Sequence, residues 1–292
     1  MRRLALALTA VALGLAAGVT GLPAGADPLP LPPPLGPGPS PSPSPTPTPA
    51  PKPAPRPAPA PPPTAAPADR WALLVGVTDY RGNVKDTVGG AADARVVRDV
   101  LLRSGWRSDR IRILTDDRAT GRAIADGLSW LQANSSARTF SMFHYSGHAK
   151  QRDGHEFLWP VDNAYLVDTE VARVLKAHRG TSWTSISACE AGGFNEGLAS
   201  ARHLFTASSS VVEKSYEDPG TGLSVWTGLL FAEGLRDRGA PDRDGSGRVS
   251  VDEAFDWAAP RASAYTRNQA KGQQTPLRRG GSGQLDLAAP LI

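Results

Sequence analysis

Cys189, the one cysteine of the chain, lies in Ile186-Ser187-Ala188-Cys189-Glu190-Ala191-Gly192-Gly193-Phe194, about forty residues after Tyr145-Ser146-Gly147-His148. A thiol and an imidazole are the pair that cysteine nucleophiles use. Cys189 would attack a carbonyl carbon, and His148 would take up the thiol proton and pass it to the leaving amine. Each residue ends an apolar, strand-like run and opens a turn of small residues. Backbone N–H groups can therefore approach a tetrahedral oxyanion, and those of Cys189 and Ala149 are the candidate donors. The competing reading is a buried structural cysteine beside a loop histidine.

A second constellation is Asp242-Arg243-Asp244-Gly245-Ser246-Gly247-Arg248-Val249-Ser250-Val251-Asp252-Glu253. Oxygen side chains at loop positions 1, 3 and 5, glycine at 6 and glutamate at 12 fit the EF-hand calcium loop. In that frame Ca2+ is held by Asp242, Asp244, Ser246, the Arg248 carbonyl, Ser250 through water, and a bidentate Glu253. A lone loop without a partner hand suggests a structural ion rather than a sensor. His144 reads as a core residue, and His155, His178 and His203 lack ligand spacing, so no transition-metal site and no organic cofactor is expected. Trp159 and Trp226 read as packing residues.

The elements that position these groups follow from periodicity. Continuous apolar runs predict buried strands at Trp71–Val77, Ile111–Leu114, Thr139–Tyr145, Thr184–Ala188 and Leu204–Ala207. Helical spacing predicts helices over Ala91–Leu102, Gly121–Ala133 with Thr120 as N-cap, Thr169–Ala177, Leu223–Arg236 and Val251–Tyr265, the last kinked at Pro260. Strands alternating with helices imply an α/β fold with a mostly parallel sheet covered on both faces. In such sheets, sites form at the carboxyl ends of the strands. His148 and Cys189 both fall there, which favours the dyad over the structural reading.

Several segments, in order, resemble the caspase-like cysteine peptidases, above all their metacaspase and bacterial caspase-domain branch. They are Leu74-Val75-Gly76-Val77-Thr78-Asp79-Tyr80, Gly89-Gly90-Ala91-Ala92-Asp93-Ala94, Tyr145 to Gln151, Asp153 to Asp162, and Ser187 to Phe194. The resemblance implies a caspase-like three-layer sandwich with about six strands, and catalytic positions at His148 and Cys189. It also implies that Asp93 and Ser187 line the pocket for the residue before the scissile bond (P1). Metacaspases usually carry Asp where this chain has Ser187, and Gly where it has Ala149. One pocket carboxylate instead of two implies a weaker preference for Arg or Lys. Ala188-Cys189-Glu190-Ala191-Gly192 is also similar to the legumain branch, which cleaves after Asn.

The expected function is thus a cysteine endopeptidase acting on peptides or proteins after Arg or Lys. A catalytically silent caspase-like domain that binds its partner through the same groove stays open, as does cleavage after Asn or Asp. The N-terminus reads as a signal peptide over residues 1–26: Arg2 and Arg3, an apolar run from Leu4 to Val19, and Ala24-Gly25-Ala26 before Asp27. Residues 27–68 hold 21 of the 28 prolines, which predicts an extended linker with nothing to bury. The remaining residues, 69–292, form one domain's worth of chain with 28 basic and 27 acidic residues. That balance gives no support to nucleic-acid binding. The expected mature protein is secreted or cell-envelope associated and does not span the membrane; its oligomeric state is open.

Overall fold

Trp71-Ala72-Leu73-Leu74-Val75 alternates between two apolar cores: Ala72 and Leu74 face one, Leu73 and Val75 the other. A strand apolar on both sides belongs inside a three-layer fold, and β1 (Asp69–Gly76) takes that place. The computed structural model describes residues 69–195, 197–281 and 285–287. The expected signal peptide and proline-rich linker lie outside the described residues.

Helix α1 (Gly90–Arg103), β2 (Ile111–Thr115), α2 (Gly121–Ala133) and β3 (Thr139–Ser146) follow β1. A small antiparallel sheet of β4 (Ala149–Arg152), β5 (His155–Leu158) and β6 (Leu166–Val167) comes next, then α3 (Asp168–Lys176), β7 (Thr181–Ser187) and β8 (His203–Ala207). Short strands β9 (Glu217–Asp218) and β10 (Leu223–Ser224) form a hairpin ahead of α4 (Val225–Thr227), which runs on as a π-helical stretch over Gly228–Arg236. Helix α5 (Val251–Asn268) and β11 (Leu277–Gly280) complete the order.

The main sheet has six strands in the order β11-β8-β7-β3-β1-β2. All neighbours pair in parallel except β11, which runs antiparallel to β8. Val97 of α1, Phe231 of the π-helical stretch and Ala258 of α5 pack with Leu74 and Trp183 on one face. Ile124 of α2 and Leu175 of α3 pack with Phe143 and Ile186 on the other. The expected α/β sandwich with helices on both faces is therefore present.

Thr120 caps α2 as expected, its hydroxyl accepting from the Ala123 N–H at 3.2 Å. Two details differ from expectation. The helix foreseen from Leu223 starts at Val225, because Leu223 and Ser224 pair with β9 and Ser224 becomes the N-cap. Helix α5 continues three residues beyond the expected Tyr265 and carries Pro260 in its interior. Pro260 and Asp256 are both exposed, so the carbonyl that proline deprives of a donor can turn to water. Among the described residues no helix is long and apolar enough to cross a membrane.

Candidate active site

Strands β3 and β7 are neighbours and end on the same rung, Ser146 opposite Ser187. His148 and Cys189 each lie two residues beyond that rung, at the carboxyl rim of the sheet. The Gly147 N–H donates to the Ser187 carbonyl at 3.2 Å and carries the pairing one step further. The register thus brings together two residues far apart in sequence.

The backbone of His148 is held from both sides by tyrosines. Its N–H donates to Tyr80 Oη at 2.7 Å, and Tyr145 Oη donates to its carbonyl at 2.6 Å. Tyr145 Oη also lies 2.9 Å from the Trp159 carbonyl. Burial pushes the Tyr80 phenol up to about 12, so both hydroxyls stay protonated. The approach requires a residue without a side chain at 147: a Cβ there would lie 2.6 Å from Tyr80 Oη and 3.0 Å from Tyr145 Oη. The imidazole rests against the Tyr80 ring, centroids 4.7 Å apart. Its Nε2 is 2.6 Å from the Lys85 carbonyl. A carbonyl only accepts, so Nε2 carries the hydrogen and Nδ1 keeps a lone pair.

The Cys189 thiol is 3.9 Å from the Ser215 carbonyl, to which it donates. Burial pushes its pKa up, the Ser215 contact pulls it back, and the charges of Glu190 and Glu217 push it up further. The resting group is a thiol, and no hydrogen bond joins it to His148 among the described residues. Glu190 turns the chain sharply at φ +56°, an uncommon conformation for a side-chain-bearing residue directly after the nucleophile. Its N–H donates to the Glu213 carbonyl at 2.8 Å, which anchors the turn to the segment that carries Ser215. The Cys189 N–H meets no acceptor among the described residues. Ala149 opposes Leu158, and the Trp159 N–H donates to the His148 carbonyl at 3.1 Å. That pattern makes Ala149–Leu158 a non-hydrogen-bonded pair, so the Ala149 N–H points away from β5.

Asp93 and Ser187 meet through Ser224. Ser187 Oγ is 2.8 Å from Ser224 Oγ, and the Ser224 N–H donates to Asp93 Oδ1 at 3.1 Å. Ser146 Oγ donates to Asp93 Oδ2 at 2.6 Å. Asp93 is fully buried, and desolvation raises its pKa to about 7 against the pull of these hydrogen bonds. Sequence reasoning missed Glu217, which pairs with Ser224 across the β9–β10 hairpin. Its Oε1 accepts the Val88 and Gly89 N–H groups, both at 2.7 Å. No motif marks Glu217 or the Lys85 carbonyl; Tyr80 and Tyr145 lie in the segments that carry the resemblance, but only the tertiary fold brings them to His148.

In the second constellation, carboxylate oxygens of Asp242, Asp244 and Glu253 lie within 4.8 Å of one another. The Ser246 N–H donates to both Asp242 Oδ1 and Asp244 Oδ1 at 3.0 Å, and Gly247 N–H to Asp242 Oδ2 at 2.7 Å. Ser246 Oγ and the Arg248 carbonyl are 3.3 Å apart. Ser250 caps α5, its Oγ accepting the Glu253 N–H and donating to Glu253 Oε2. The loop's oxygens have the chemistry of a hard-cation site. Of the histidines, His144 is fully buried as expected, and His155 lies 3.1 Å from Asp168. Trp226 is buried and Trp159 packs, partly exposed, against one core, so both fit the packing expectation; Trp159 also lies beside His148.

The model of the caspase domain, a peptidase family, matches residues 69–273. Metacaspase-3 of Arabidopsis thaliana is 31% identical over 143 residues, covering 41% of this chain and 39% of the relative. Metacaspase-1 of Candida albicans is 27% identical over 194 residues, covering 57% and 42% respectively. The chain thus spans about two-fifths of the length of these curated relatives. The solved structure of the Geobacter sulfurreducens protein GSU0716 superposes with a TM-score of 0.55 at 15% identity, covering 73% of this chain and 94% of that one. At that identity the likeness concerns the fold alone. With the family model spanning most of the described residues, the chain belongs to the caspase-domain family of peptidases.

Proposed function

We propose that the protein is a secreted or cell-envelope cysteine endopeptidase that hydrolyses peptide bonds with Cys189 as nucleophile and His148 as acid and base. The observation that supports this reading is the shared Ser146–Ser187 rung, two residues beyond which both His148 and Cys189 follow. As Sγ attacks the scissile carbonyl, the thiol proton passes to Nδ1, the imidazole nitrogen left unengaged by Lys85. The Cys189 and Ala149 N–H groups donate to the oxyanion. The tetrahedral intermediate collapses, Nδ1–H protonates the departing amine, and the thioester remains. Water, deprotonated by Nδ1, then hydrolyses the thioester and restores the thiol. Peptide or protein is the substrate.

Arg or Lys at P1 is the preferred specificity, because Asp93 and Glu217 place negative charge around Ser187 and Ser224. A second reading has its own support: with its pKa at about 7, Asp93 is largely neutral below that pH. A neutral carboxyl among serine hydroxyls suits the amide of Asn. Ca2+ in the loop at 242–253 fits as a structural ion, outside the chemistry itself. Fluorogenic peptides varied only at P1, with and without calcium and with Cys189→Ala as control, test the proposal. Turnover after Arg or Lys that the variant lacks supports it. Turnover after Asn alone keeps the mechanism and replaces the specificity, and absence of turnover at every P1 refutes both.

A further inference from the structure

We infer that the outer face of the β4–β5 hairpin, with Trp159 and Tyr165, binds the leaving-group side of the substrate, selecting an aromatic or large aliphatic residue at P1′ and an acidic one next. The inference rests on the peptidase reading above and names a second half of the substrate for it. In that mechanism the nitrogen of the scissile bond must come within hydrogen-bond reach of the His148 imidazole, so the chain beyond the bond starts at His148. In that reading the acyl half takes the pocket of Asp93, Ser224 and Glu217.

From His148 a continuous row of rings runs along the hairpin. The imidazole and Trp159 centroids are 5.8 Å apart, Trp159 and Tyr165 5.2 Å, and Tyr165 and Phe157 6.3 Å. Trp159 and Phe157 are partly exposed and Tyr165 is 36% exposed. Rings packed at such angles leave edges and faces open to an incoming apolar side chain.

Lys150 opposes Phe157 across the hairpin, so both project from the same face. The Lys150 ammonium sits 3.7 Å from the Tyr165 centroid and 5.2 Å from that of Trp159. The other cations on this face have carboxylate partners: Arg152 with Asp153 and His155 with Asp168, each at 3.1 Å. Lys150 has none among the described residues. A cation held by rings next to an apolar wall leaves one side for an anion, and an acidic side chain one residue beyond P1′ supplies it.

Internally quenched peptides with one fixed acyl half test this, the leaving half starting Phe-Asp, Phe-Lys, Gly-Asp or Gly-Lys. A coumarylamide of the same acyl half, which has no residues after the bond, runs alongside. Phe over Gly and Asp over Lys should each raise kcat/KM about fivefold, and the Asp advantage should shrink as salt rises. Within Lys150→Glu the ratio of Asp to Lys peptides should fall below one. This ratio is internal to each protein and does not depend on how much of the variant is folded. Ratios within twofold of one in the unmodified enzyme, with the coumarylamide turned over, overturn the subsite and leave the peptidase reading intact. No turnover of any substrate, the coumarylamide included, overturns both.

Discussion

Replacing His144 with leucine should make the protein more stable, and increasingly so in acid. His144 lies on β3 within the core, fully buried and edge-on to Phe231 at 5.4 Å. Neither ring nitrogen has a hydrogen-bond partner. Burial pushes its pKa down to about 3, whereas an imidazole in the unfolded chain titrates near ~6.5. The depressed folded value means that the unfolded chain takes up the proton first. Stability is therefore complete above about pH 6.5 and is lost progressively as pH falls towards 3. By pH 4 the loss from this one group is about 3 kcal/mol. Leucine removes it, and at pH 7 it also removes two unpaired polar atoms, worth about 1–3 kcal/mol. Asp93 works in the opposite sense, since its raised pKa favours the folded state as pH falls below about 7. His178, pushed down to about 4 by burial, works in the same sense as His144. Both are common to the two proteins and cancel in their difference. Urea unfolding from pH 7 to pH 4, in a Cys189→Ala background to prevent self-digestion, measures that difference directly. A gap that stays constant across this range would refute the reasoning, because only an imidazole whose folded pKa equals its unfolded one gives no slope.

If P1 is basic, the ionised fraction of Asp93 should govern its binding. With a pKa of about 7 that fraction rises from about a tenth at pH 6 to about nine-tenths at pH 8. KM for an Arg peptide should fall about ninefold over that range, and a flat profile identical to that of Asp93→Asn would exclude the carboxyl as the P1 partner. Tyr145→Phe removes the hydroxyl that holds the His148 and Trp159 carbonyls. We expect kcat to fall about tenfold with KM nearly unchanged, on the scale of about 1 kcal/mol per hydrogen bond; a rise in KM at constant kcat would place Tyr145 in substrate binding instead. Calcium at a hundred times its dissociation constant should stabilise the protein by about 2.7 kcal/mol, read as a rise in melting temperature that Asp242→Ala abolishes. Equal melting in calcium and in chelator would remove the ion from the loop.

The strands and helices that position the site were legible because burial on both faces writes itself as continuous apolar runs. β1, β3 and β7 fall within a few residues of their expected limits. The sixth strand, β11, was not legible: Leu277-Arg278-Arg279-Gly280 is an edge strand with two partly exposed or exposed arginines, and such a segment resembles a loop. His148 and Cys189 stood out because reactive side chains beside small residues are rare. Glu217 did not, since a carboxylate in a coil is common and gains its place only when Val88 and Gly89 come to it from the far side of the chain. Apolar character alone did not say that Trp159, which packs against one core, would also reach the rim beside His148.

The central placement of β3 and β7 also bears on how activity is lost. Their backbone amides lie in the middle of a six-stranded ladder, and exchange there requires global opening. The groups that complete the site come instead from connecting segments: Lys85 between β1 and α1, and Ser215 between β8 and β9. Such segments open locally at much lower free energy. On warming, the spacing of thiol and imidazole should persist after their carbonyl partners have let go. Catalysis should fade several degrees before the ladder melts, and hydrogen exchange should show fast amides around 85 and 215 above a slow floor at 141–146 and 182–187.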